Sequence, residues 1–114
     1  MPPAPQFTAE LTFHFAGQGP ERRHCFVFDD GLGLHRRVPM RMDGVDGLHT
    51  VGMWVDKAHT FVAGDAVLVR CVVISPDLFH DVVQPGVQFA LWDGGDFASG
   101  IVLERHEAGW PSTA

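Results

Sequence analysis

Phe7-Thr8-Ala9-Glu10-Leu11-Thr12-Phe13-His14-Phe15 is the stretch that decides the fold. Phe7, Ala9, Leu11, Phe13 and Phe15 alternate with Thr8, Glu10, Thr12 and His14. Successive side chains of an extended chain point to opposite faces, so a period of two gathers the apolar residues on one side and the polar ones on the other. The spacing predicts a strand buried on one face only. Gly17-Gln18-Gly19-Pro20 then reads as the loop that closes it.

The same period recurs downstream. An apolar segment from His24 to Phe28 stops at Asp29-Asp30-Gly31, a turn composition. Val38, Met40 and Met42 alternate with Pro39 and Arg41, and the proline points to an edge position or a bulge. Leu48 to Val55 supplies a further strand. Ala66 to Ile74 is the strongest: Val67, Val69, Cys71 and Val73 form one side, and Leu68, Val72 and Ile74 make the other apolar around Arg70. That predicts a strand covered on much of both faces, ended by Ser75-Pro76-Asp77. Phe79 to Val83 suits one helical turn. Val87 to Trp92 and Ser99 to Glu104 flank Asp93-Gly94-Gly95-Asp96 as a β-hairpin.

No window sustains a helical period, and about seven short strands with turns between them indicate a small all-β barrel or sandwich. The 114 residues make one domain, residues 1–114, with a core over about 5–107 and a frayed tail over 108–114. Hydrophobic residues make up 46% of the chain, which excludes the disordered class. Eight Lys and Arg against fourteen Asp and Glu give a net charge of −6, which repels phosphate backbones. The N-terminus has no basic flank or apolar run, and the longest nearly apolar stretch is nine residues, Ala66 to Ile74. A membrane span needs about twice that length. The expectation is a soluble, cytoplasmic protein, not in a membrane, whose Cys25 and Cys71 are small buried hydrophobes and not a disulfide.

The order of these segments resembles the C-terminal (third) domain of translation elongation factor Tu. Pro85-Gly86-Val87-Gln88-Phe89-Ala90-Leu91-Trp92-Asp93-Gly94-Gly95 and Gly100-Ile101-Val102 look like that domain's final hairpin, and Phe7 to Phe13 like its first strand. Pro20 to Phe28 is similar to its Gly-Arg-His loop and the strand after it; Arg36-Arg37-Val38-Pro39-Met40-Arg41 falls where the family has an Arg-Pro-Gln-aromatic strand. Val62-Ala63-Gly64-Asp65-Ala66-Val67 looks like its Pro-Gly-Asp turn. The resemblance spans about residues 5–107 and implies a six-stranded antiparallel barrel, here occurring as a stand-alone domain. It does not imply GTP hydrolysis, which belongs to another domain; the chain has no Gly-x-x-x-x-Gly-Lys-Ser/Thr phosphate loop. The family domain contacts the T-stem backbone of aminoacyl-tRNA, and the matching positions fall near Arg22, Arg23, His24, Arg37, Asp93 and Gly94. Guanidinium groups suit phosphate contact. Here, however, the family's Gln is Arg37, its neighbouring aromatics are Val38, Pro39 and Met40, and the acidic balance disfavours tRNA.

Read by themselves, Arg22-Arg23-His24 with Arg36-Arg37 and Arg41 form the only basic concentration, a docking patch for an acidic protein or a phosphate-bearing ligand, or else solvated loop charge. Seven histidines show no zinc spacing, although strand pairing could bring His14 to His106; the reading is no metal and no cofactor. Cys25 and His24 are adjacent, hence on opposite faces of a strand, and Asp29-Asp30 are turn residues. The expectation is therefore not an enzyme. Among the tryptophans, Trp54 suits the core, while Trp92 closes a hairpin strand where it could make a partner contact. The function expected is a protein-interaction module. An RNA-associated module with a weakened tRNA-backbone contact and an oligomerisation barrel are the alternatives.

Overall fold

A computed structural model describes residues 4–15 and 25–111. Among these residues eight strands form: β1 (Phe7–Phe13), β2 (Cys25–Phe28), β3 (His35–Met42), β4 (His49–Trp54), β5 (His59–Val62), β6 (Ala66–Val73), β7 (Gln88–Trp92) and β8 (Asp96–Arg105). Six of them close an antiparallel barrel in the order β1-β6-β4-β3-β7-β8, with β8 returning to β1. β2 and β5 pair separately as a two-stranded ribbon.

The alternation in β1 sets the inside of the barrel. Phe7, Ala9, Leu11 and Phe13 are fully buried, whereas Glu10 and Thr12 face solvent. Each such Phe removed from water is worth about 1.5–3 kcal/mol. At the end of β1 the ribbon packs on the barrel: Phe13 stacks on Phe26 and Phe61 with ring centroids 5.7 and 5.2 Å apart, and Phe26 stacks on Phe97 at 5.5 Å. Closure therefore does not leave that end of the core open to water.

Pro39 occupies a rung where β3 pairs with β4 alone, because pairing with β7 begins only at Met40. Its missing N–H is thus placed at a local edge, as the sequence suggested. The hairpin of β7 and β8 forms around residues 93–95, with an irregular register between Leu91 and Trp92. Gly100 is needed inside it, because a Cβ there would lie 2.2 Å from the Phe89 ring.

Three expectations are corrected. β6 is not covered on both faces: Leu68 and Ile74 on its outer side are 58% and 65% exposed. The outer apolar residues belong to the wall of the barrel, with no layer over them among the described residues. The helical turn starts earlier than Phe79, as α1 (Pro76–Phe79), because Pro76 stands where a helix has no use for an N–H. The tail is not frayed at 108: Trp110 is 8% exposed, and its indole N–H donates to the Gln6 carbonyl at 3.2 Å. Partners from opposite ends of the chain hold it, which no local pattern reveals.

Candidate functional site

The sequence-derived contact residues separate. Arg22, Arg23 and His24 lie outside the described residues. Arg37 is exposed on the outer wall of β3. Trp92 is half-buried at the end of β7, and Asp93 and Gly94 form the hairpin tip, where Gly94 takes a φ of 73° and the Asp93 N–H donates to the Gly95 carbonyl. The β3–β7 ladder ends at Met40–Leu91, so Arg37 stands beyond its last rung from Trp92.

The basic concentration also splits, and the period of two is the reason. Arg36 shares the inward phase of Val38 and Met40; its guanidinium lies 4.4 Å over the Phe26 ring and donates to the Val27 carbonyl at 2.6 Å. It is a structural tie between barrel and ribbon. Arg41 points outward and pairs with Asp96 at 2.6 Å. Neither Arg36 nor Arg37 makes an ion pair among the described residues, and of the two only Arg37 is exposed.

Beside Arg37, the outer wall of β3, β4 and β6 forms a cleft of about 110 Å³ lined by His35, Arg37, Gly52, Trp54, Val72 and Ile74. Register brings them together: His35 faces Trp54, Arg37 faces Gly52, and Gly52 faces Val72. The His35 ring stacks on Trp54 with centroids 4.3 Å apart and planes 25° from parallel. Gly52 leaves room beneath it, since a Cβ at Gly52 would come within 3.1 Å of His35 Nε2. Nε2 itself is buried and has no hydrogen-bond partner. Burial, and after it the Arg37 charge, hold the His35 pKa below its ordinary 6.5, so the ring is neutral at pH 7. Across from Trp54 on β6, Arg70 is engaged with Asp56 at 2.8 Å.

A larger depression of about 470 Å³ lies on the wall formed by β1, β8, β7 and β3. Its polar lining includes Glu10, Thr12, Arg41, Asp43, Asp96 and Ser99. Arg41 is already taken by Asp96, and the remaining carboxylates give this wall an acidic character.

Among the described residues no three His, Cys, Asp or Glu side chains converge as a metal site. His14 and His106 do not meet: Ser99 faces His14 at one end of β1, and Thr8 faces His106 at the other. Cys71 is buried as expected and burial pushes its thiol pKa up, but Cys25 is exposed, in correction of the expectation for both. Trp54 is half-buried on the wall and not in the core. His35, Gly52, Val72 and Ile74 were not singled out as a site from sequence. The only signal for Val72 and Ile74 is the second apolar phase of Ala66 to Ile74, and His35 and Gly52 carry none. No helix among the described residues is long and apolar enough to cross a membrane.

No protein-family model matches the chain, and no curated protein is similar to it.

Proposed function

We propose that this chain is a non-enzymatic protein-interaction module, a barrel of the elongation factor Tu third-domain type, docking through the outer wall of β3, β4 and β6. The single observation that carries this reading is the exposure of Ile74, at 65%, beside Val72, Trp54 and an Arg37 with no carboxylate partner among the described residues. Contiguous exposed apolar groups with a polar rim mark interaction sites, and Trp and Arg are the residues most often decisive at them. Charge complementarity selects the partner: a segment offering an apolar side chain with a carboxylate near it. The acidic carboxylates around Arg41 favour a protein over a phosphate backbone, since Asp96 already occupies that guanidinium.

The test is affinity capture from a cell extract with wild type, Ile74→Asp and Arg37→Glu, each checked by circular dichroism for an unchanged fold. The expected result is a discrete set of proteins lost by both variants. Equal capture by all three removes the proposed wall from the account.

A further inference from the structure

The geometry points to His35 as a proton-operated latch on this wall: neutral, it lies on Trp54 and fills the space over Gly52; protonated, it swings out and opens the cleft. The inference rests on the docking reading for its consequence, but the motion itself does not depend on any partner.

The closed position suits only a neutral ring. A neutral imidazole carries one N–H, and Nδ1 can hold it while Nε2 keeps a bare lone pair. Protonation puts a second N–H on Nε2, which is buried and meets no acceptor. A charged donor left without a partner is among the costlier things a folded chain can contain. The groups facing the ring offer no relief. On its own strand Arg37 is cationic and already lowers the His35 pKa. On β4 it meets Gly52 and Trp54, and the rest of the cleft is lined by Val72 of β6 and Ile74 just past it, none of them titratable. Arg70, on the same cross-strand row beyond Trp54, is held by Asp56. The face of Trp54 does attract a cation, but at a half-exposed site that attraction is smaller than the cost of an unmet charged donor.

A histidine whose pKa is lowered in the closed state favours that state above the pKa and loses the preference as pH falls through it. Release of the ring uncovers the Trp54 face and the backbone of Gly52, and it adds a positive charge beside Arg37. An apolar, carboxylate-bearing partner therefore docks more tightly in mild acid than at neutral pH.

Nuclear magnetic resonance on the isolated protein reads the latch. The His35 ring carbons report its titration, and the Gly52 amide and the Trp54 indole N–H report the stack. The expected result is a His35 pKa below 6.5, with the Gly52 and Trp54 signals moving along the same curve. Gly52→Ala, whose methyl enters the space under the ring, should give the acid-state Trp54 signal at neutral pH. His35→Gln should remove the pH dependence of both reporters. A His35 pKa above 6.5, or Trp54 and Gly52 signals that stay fixed while His35 titrates, overturns the latch. If the ring moves as described but capture is the same at pH 5.5 and 7.5, regulation of docking fails while the wall itself stands or falls on Ile74→Asp.

Discussion

Arg105 holds its guanidinium carbon 4.5 Å over the ring of Trp110. The same group donates to the carbonyls of His80 and Val83 at 2.7 and 2.8 Å, and to the Glu107 carboxylate. One planar fork thus ties the last barrel strand to the turn after α1 and to the C-terminal segment, with a side chain only 9% exposed. Arg105→Lys keeps the charge but loses the fork and the planar stack, so it should cost about 1–3 kcal/mol. Thermal unfolding measures this as a fall of roughly 4 °C or more per kcal/mol. A Tm unchanged within a degree would show that the C-terminal segment does not contribute to stability.

Gly100 lies opposite Phe89 across the β7–β8 ladder, where a Cβ would meet the Phe89 ring at 2.2 Å. Gly100→Ala should destabilise by about 1–3 kcal/mol, because the methyl displaces a buried ring between paired strands. Combining it with Phe89→Leu should cost less than the sum of the two changes, since the smaller side chain frees the space. Urea unfolding of the four proteins checks the cycle, and strict additivity would place the strain elsewhere.

The two phases of β6 should respond oppositely. Ile74→Asp and Leu68→Asp, on the exposed outer side, should change stability by no more than about 0.5 kcal/mol. Val73→Asp buries an unpaired carboxyl among core residues and should unfold the protein or cost about 3 kcal/mol or more. Denaturant midpoints decide between this arrangement and a strand covered on both faces.

The two thiols should differ chemically. Cys25 is exposed, while Cys71 is fully buried with its thiol held protonated by desolvation. Iodoacetamide at pH 8 should add one group to the native protein and two to the protein in urea, as read by mass spectrometry. Two rapid additions under native conditions would mean that the core opens at Cys71.

Much of the barrel was legible because its information is local. The alternation in Phe7 to Phe13 fixes both the strand and its buried face, and the Asp93-Gly94-Gly95 turn marks the hairpin. The wall was harder to read, because an apolar residue on the outer phase of β6 looks the same whether a layer covers it or not. The sequence pattern therefore predicts cover over Ile74 and Val72, and a core position for Trp54. The basic residues Arg36 and Arg37 read as one patch in sequence, but adjacent positions on a strand face apart. The Trp110 anchor was invisible because Gln6 and Arg105 reach it from opposite ends of the chain. Pairing across the sheet, not any motif, brings His35 to Trp54 and Gly52.

Site-specific photo-crosslinking tests the central claim most directly. A photoreactive phenylalanine analogue at position 74 probes the proposed wall, and the same analogue at position 10 probes the acidic wall. In a cell extract the account predicts a discrete crosslinked protein from position 74 that is lost with Arg37→Glu and is not obtained from position 10. Crosslinks of the same identity and yield from both positions, or none from position 74 while position 10 captures a protein, would contradict it.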